Sequence, residues 1–413
     1  MQFDLPIMGS CVSRNKSISL SNESKALRRK VSSIIMSPEE AERINNEEAR
    51  KINNDEPQNS FRNNKLPSQG KALQGSLLIK SQKVVFSGLS SQSKQTGFED
   101  KRMSINHSEF NMDHLASFGI SVTCKKGLKP GSPNQDDYFV SLDKKSIILG
   151  VFDGHGLFGH DISNFVHSTL PSILLSQQDL KSDPVNAIKS SFQECQNQLL
   201  LNSEQIDCTA SGCTATLVCI LNKKLFIAHV GDSRAIIAQE IDSKIVSKNL
   251  TEDHRPDLLK ESERIRNCGG EIRKLSEDAP FRIFRPGENF PGLNMSRAFG
   301  DTICQELGVI CEPEISEIEV KDTDQFILIC SDGVWEFITS QDAVNLVIKS
   351  EKDPRKATEK IAALAWMRWK NVYDLLVDDI TAMIIHLNNK HIKEYFTDQN
   401  DESSESVSVE NLQ

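Results

Sequence analysis

Four aspartates in this chain sit where a short apolar run gives way to a turn: Asp136 in NQDDYF, Asp153 in GVFDGHG, Asp332 in CSDGVWE and Asp378 in VDDITAMII. Any one of them reads as an ordinary turn residue. Several gathered in one place would raise one another's pKa unless a cation lay among them. Oxygen ligands without matched cysteine or histidine favour Mg2+ or Mn2+ over Zn2+. His155 follows Asp153 by two positions, and Gly154 and Gly156 around it let other groups approach closely. An imidazole beside such a carboxylate is a candidate proton carrier near neutral pH. Spacing leaves open whether the four carboxylates meet.

To meet, they must be carried to one end of a common scaffold. From about 115 to 388 the chain alternates short β-rich runs (SIILGVF, TATLVCI, KLFIAHV, AIIAQE, QFILIC, ITAMIIHL) with Gly, Asp and Asn turns. Helical patterns lie between them, as in HDISNFVHSTLPSILL and DPVNAIKSSFQECQNQLL. The second opens on Asp183-Pro184, a cap followed by proline at the first helical position. AVNLVIKS and DPRKATEKIAALAWMRWK supply two late helices. The pattern predicts an α+β domain, sheets packed together with helices outside.

The flanks differ. Residues 1–110 are poor in large apolar side chains and rich in Ser, Asn, Lys and Glu, which predicts a mostly disordered extension with one short helix at 37–56. The segment 390–413 reads as an acidic disordered tail. A net charge of −10 argues against nucleic-acid binding. Ten scattered cysteines without CxxC pairs fit reduced thiols in the cytoplasm. No apolar run approaches the length of a membrane span.

The order of the motifs closely resembles the metal-dependent protein phosphatases of type 2C, over roughly 118–388. PNQDDYF, GVFDGHG, SGCTATLVCI, IAHVGDSRAII, LTEDHRPD, ERIRNCGGEI, PGLNMSRAFGD, FILICSDGVWEFI and VDDITAMIIHL follow in family order. The resemblance implies a central sandwich of two antiparallel β-sheets flanked by α-helices, with a dimetal site at one end, in a catalytic domain at 115–388. It implies that Asp153 bridges two Mg2+ or Mn2+ ions, that the Gly154 carbonyl binds one, that Asp332 and Asp378 complete the other, and that Asp136 holds metal-bound water. Gln135 replaces the glutamate frequent in the family, so the second metal is expected to bind more weakly or through water. An arginine that some members use for phosphate corresponds to Gly131, with Lys125, Lys126 or Lys129 as substitutes acting as point charges.

The implied reaction is hydrolysis of phosphoserine and phosphothreonine on proteins. Two adjacent cations lower the pKa of a shared water and neutralise phosphoryl oxygens. His155 or a metal-bound water then protonates the leaving alkoxide. The rival reading is a pseudophosphatase that binds phosphoprotein partners without turnover, with Gln135 its only support. A monomer with no obligatory regulatory subunit is expected. Asp232 in VGDSRA is assigned to the fold, Arg297 to a buried carboxylate, and 274–293 to an irregular loop whose Arg282 and Arg285 either contact phosphopeptide or are ordinary surface charges.

MGSCVSRNK, residues 8–16, fits the myristoylation pattern through Gly9 and Ser13, with Cys11 open to palmitate and basic residues downstream. Two such signals are what stable peripheral attachment needs. Acylation of Gly9 requires translation from Met8 or a shorter product.

Overall fold

The structure, a computed structural model, describes residues 84–88, 100–101, 103–105, 112–129, 131–143 and 146–396. Gly9, Cys11 and the expected helix at 37–56 lie outside the described residues.

Strands form where β-branched and aromatic runs are bounded by turns. In chain order they are β1 (Val84–Gly88), β2 (Met103–Ile105), β3 (Ile120–Lys125), β4 (Asp136–Asp143), β5 (Ser146–His155), β6 (Gly212–Cys213), β7 (Ala215–Leu221), β8 (Lys224–Val230) and β9 (Arg234–Ile241). There follow β10 (Lys244–Asn249), β11 (Glu271–Arg273), β12 (Arg282–Phe284), β13 (Pro291–Leu293), β14 (Phe299–Gly300), β15 (Glu314–Ile318), β16 (Asp324–Cys330) and β17 (Ile380–His386). One sheet runs β15-β8-β7-β5-β4-β1-β2 and a second β10-β9-β16-β17-β3. Neighbouring strands are antiparallel in both.

The helices are α1 (Met112–Ser117), α2 (Gly159–Ser176), α3 (Pro184–Leu201), α4 (Leu259–Asn267), α5 (Thr302–Gln305), α6 (Asp332–Trp335), α7 (Ser340–Ile348), α8 (Pro354–Tyr373) and α9 (Lys390–Lys393). Side-chain caps start α3, α7 and α8: Asp183 accepts from Asn186 N, Thr339 from Asp342 N, and Asp353 from Arg355 N.

Strand β7 shows why the runs are apolar at nearly every position. Val218 and Ile220 face the other sheet, packed with Ile237, Ile329 and Met383. Leu217 and Cys219 face α2 and α3, packed with Val166 and Phe192. A strand buried on both faces loses the polar alternate positions. On the other side α7 and α8 cover the second sheet through Val344, Ile361 and Trp369. The result is the expected sandwich between helical layers, with turns and strand ends collected at its two ends.

Three boundaries differ from the sequence reading. Val84-Val85-Phe86, inside the extension expected to be mostly disordered, adds β1 to the edge of β4, because a β-branched and aromatic triplet gains a partner there. The segment expected as an irregular loop forms a small sheet, β11-β12-β13. The packed chain also continues past 390: Ile392 is fully buried, and Tyr395 Oη donates to the Asp143 carbonyl at 2.7 Å.

Candidate active site

Asp136 opens β4 and Asp153 lies near the end of β5, and the two are cross-strand partners. Asp332 opens α6, two residues after β16 ends, and Asp378 stands two residues before β17. Since β16 pairs with β17, each sheet delivers two carboxylates to the same end of the sandwich. The Asp153 and Asp332 carboxyls lie close enough to bear on each other's ionisation. Gly154 makes the close approach possible: its N donates to the Gln135 carbonyl at 3.0 Å, and a Cβ there would lie 2.1 Å from the Gly159 carbonyl oxygen.

The electrostatics are those of crowded acids. Burial, then the Asp136, Asp332, Asp378 and Asp232 carboxylates, push Asp153 well above the usual carboxylate range. Asp136 is pushed up to about 7 by burial and by Asp379, against hydrogen bonds from Thr381 and Ser331. Those bonds, Ser331 Oγ at 2.8 Å and Thr381 Oγ1 at 2.7 Å, both reach Oδ2 of Asp136. Burial, with Asp332 and Asp379, lifts Asp378 to about 7, opposed by the Lys129 ammonium that contacts its Oδ1. Desolvation also raises Asp332.

His155 is buried, with Nε2 2.6 Å from Asp301 Oδ2. Its Nδ1 has no hydrogen-bond partner among the described residues. The lysines separate. Lys129 joins the cluster. Lys126 lies 3.7 Å from Asp379 Oδ1 and donates to the Gly127 carbonyl. Lys125 turns away, its Nζ 4.2 Å from the Trp366 ring centre on α8, because side chains alternate along β3. The expected phosphate role of Lys125 is not supported by that position. The Gln135 amide donates to the Gly156 carbonyl at 2.7 Å, bracing the turn after Asp153.

Several residues that sequence reading gave no chemical role belong here. Asp232, assigned to the fold, is pushed well above the carboxylate range by burial and by Asp332 and Asp253, and its Oδ1 has no hydrogen-bond partner among the described residues. Its signal was the Gly231-Asp232 turn after an apolar run, the same cue that marked Asp153. Asp301 is the carboxylate that His155 needs, 146 residues away in sequence. Asp379 fixes the loop carrying Lys129, accepting from Gly127 N at 2.6 Å and Gln135 N at 3.0 Å. Arg282, expected on a surface loop as a phosphopeptide contact or an ordinary charge, is instead fully buried and donates to the Gly292 carbonyl at 2.7 Å. Arg297 meets the buried carboxylate expected of it, Glu261, at 2.6 Å.

Among the described residues, no three His, Cys, Asp or Glu side chains are drawn tightly enough together to chelate an ion as they stand. The donor set nonetheless fits hard divalent cations. It is all oxygen, and the buried Oδ1 atoms of Asp136 and Asp232 have no hydrogen-bond partner among the described residues.

A family description, Protein phosphatase 2C, matches residues 120–368. The chain belongs to the protein phosphatase 2C family. A relative described as "Probable protein phosphatase 2C 72" of Arabidopsis thaliana is 35% identical over 255 residues, covering 59% of this chain and 77% of its own. "Probable protein phosphatase 2C 61" from the same plant is 36% identical over 267 residues, 62% and 82% of the two chains. The crystal structure of serine-threonine phosphatase 2C from Toxoplasma gondii shares the fold, with a TM-score of 0.57 at 19% identity over 73% of this chain and 98% of that one. Protein phosphatase 2C members are metal-dependent; Asp136, Asp153, Asp232 and Asp332 lie within the matched span, and Asp378 follows ten residues after it.

Proposed function

We propose that the chain is a protein serine/threonine phosphatase, with Asp153, Gly154, Asp332 and Asp378 holding two Mg2+ or Mn2+ ions and Asp136 supporting them. The observation that carries this is the buried set of carboxylates raised together by one another at one end of the sandwich, beside a His155–Asp301 pair. Divalent cations bound there would supply Lewis acidity and a nucleophile at neutral pH.

The chain's own residues do the rest. Ser331 and Thr381 hold Asp136 in one orientation. Asp379 pins the loop that brings the Lys129 ammonium to the cluster, where it can meet a phosphoryl oxygen. Asp301 accepts from His155 Nε2 and stabilises the imidazolium, so the proton for the leaving alkoxide is held at Nδ1. The partner-binding rival would need this carboxylate set broken; the sequence retains all four aspartates, and nothing in the relatives favours that rival.

Hydrolysis of a phosphothreonine peptide with Mn2+, compared with excess chelator, tests the reading. Metal-dependent release of phosphate is expected, and no turnover on any phosphosubstrate would overturn it. No helix among the described residues is long and apolar enough to cross a membrane. Peripheral attachment rests on residues 8–16 alone. Mass spectrometry of the native N-terminus tests it, with myristate on Gly9 expected and an unacylated Met1 against it.

A further inference from the structure

Lys101 precedes the family-matched span, yet its side chain is buried in the catalytic unit. Its Nζ donates to Asp137 Oδ2 at 2.7 Å, with 9% and 0% of the two side chains exposed. His167 Nδ1, from α2, stands 3.0 Å from the same oxygen and 3.3 Å from the Ser163 carbonyl. Both neighbours of that nitrogen are acceptors, so it carries a proton. Asp137 Oδ1 accepts from Tyr138 N at 3.0 Å. The carboxylate is therefore fixed at both oxygens, one residue from Asp136.

The backbone around Lys101 spans the open edge of the sandwich. β1 pairs with β4 near the edge of one sheet, with β2 outside it. Lys101 N donates to the Cys124 carbonyl of β3, at the edge of the other. Asp100 Oδ1 accepts from Lys126 N at 2.9 Å, at the head of the loop that carries Lys129. Cys124 in turn lies 3.8 Å from the Asp136 carbonyl. One short segment thus holds both stretches, 124–129 and 136–137, that enter the cluster.

Burying an ammonium is costly unless the ion it meets requires it, and the proposed hydrolysis assigns Lys101 no step. We propose that Lys101 is a positioning residue: through Asp137 it fixes the start of β4 and so Asp136, and the segment ahead of the matched domain thereby sets the site's affinity for divalent cation. This rests on the phosphatase reading.

The test compares the full-length wild type with Lys101→Met/Asp137→Asn, which strands no buried ion, and with Lys101→Arg, which keeps the charge. Mn2+ binding by calorimetry, kcat and KM on a phosphothreonine peptide, and Tm are measured for each. The double variant is expected to bind Mn2+ about tenfold more weakly and to lose kcat with KM unchanged, as when outer-shell support is removed. Lys101→Arg should recover most of the loss. Wild-type Mn2+ affinity and kcat in the double variant, even with a lower Tm, would overturn the proposal, since Lys101 would then serve folding alone. If the double variant does not fold, exposed Asp100→Ala decides: weaker Mn2+ binding supports the proposal and unchanged binding overturns it. A wild type that binds Mn2+ but hydrolyses no phosphopeptide would instead sink the phosphatase reading and leave the binding comparison intact.

Discussion

Asp136 and Asp137 are consecutive residues of one strand, equally buried, and their carboxyls sit on opposite sides of the ordinary aspartate value. Asp136 faces other acids and is pushed up to about 7, by burial and then by Asp379. Asp137 is buried too, but His167 and Lys101 beside it hold it down to about 2. The residue type is the same and the desolvation similar. What differs is the sign of the neighbours. A cluster of like charges is poised to receive cations. A carboxylate already paired with two donors is a brace.

The largest test of that contrast is Asp153→Ala. Removing the carboxylate that all the others face should cut turnover on a phosphothreonine peptide roughly a thousandfold or more, several kcal/mol of transition-state stabilisation. Circular dichroism should still report a folded protein. Retention of more than about a tenth of wild-type turnover would refute the bridging role.

Asp137→Ala should do the reverse, acting first on stability. It strands the buried Lys101 ammonium, a loss of about 3–5 kcal/mol, readable as a lower urea midpoint. Metal-free Asp136→Ala, which relieves repulsion, should be at least as stable as the wild type. Equal destabilisation by both would erase the distinction drawn here.

A smaller effect separates the two through pH. For Asp136 and Asp378, raised from 3.8 to about 7, the folded state keeps protons that the unfolded chain has lost. Their ionisation therefore erodes stability as pH rises from about 4 to 7. For Asp137, lowered to about 2, stability is fully present above the unfolded value and is lost as pH falls from about 4 toward 2. Calorimetry in chelator should show Tm highest near pH 5 and falling toward pH 7.5, with Mn2+ restoring it at the higher pH. A metal-free Tm that climbs steadily from pH 5 to 8 would contradict the crowded-acid account.

The smallest expected effect is at Gln135. Because its amide donates to Gly156, Gln135→Glu replaces a donor with an acceptor. It should cost about 1 kcal/mol of stability and leave the Mn2+ concentration for half-maximal activity unchanged. A clearly lower requirement would mean that the new carboxylate swings into the cluster.

The sequence by itself determined the strand and helix pattern, because runs apolar at nearly every position require burial on both faces, and it determined the order of motifs that carries the family resemblance. Asp136, Asp153, Asp332 and Asp378 were legible because each adjoins an apolar run at a glycine or polar turn. Tertiary structure decided which acids repel and which are paired. Asp137 meets Lys101 from 36 residues away, and His155 meets Asp301 from 146. It also decided that Lys129 enters the cluster while Lys125 lies over Trp366, and that Asp232 joins the acids. The physical reason is range. Burial and turn formation are written in a few adjacent residues, whereas the charge beside a buried group is supplied by whichever distant strand or helix packs against it.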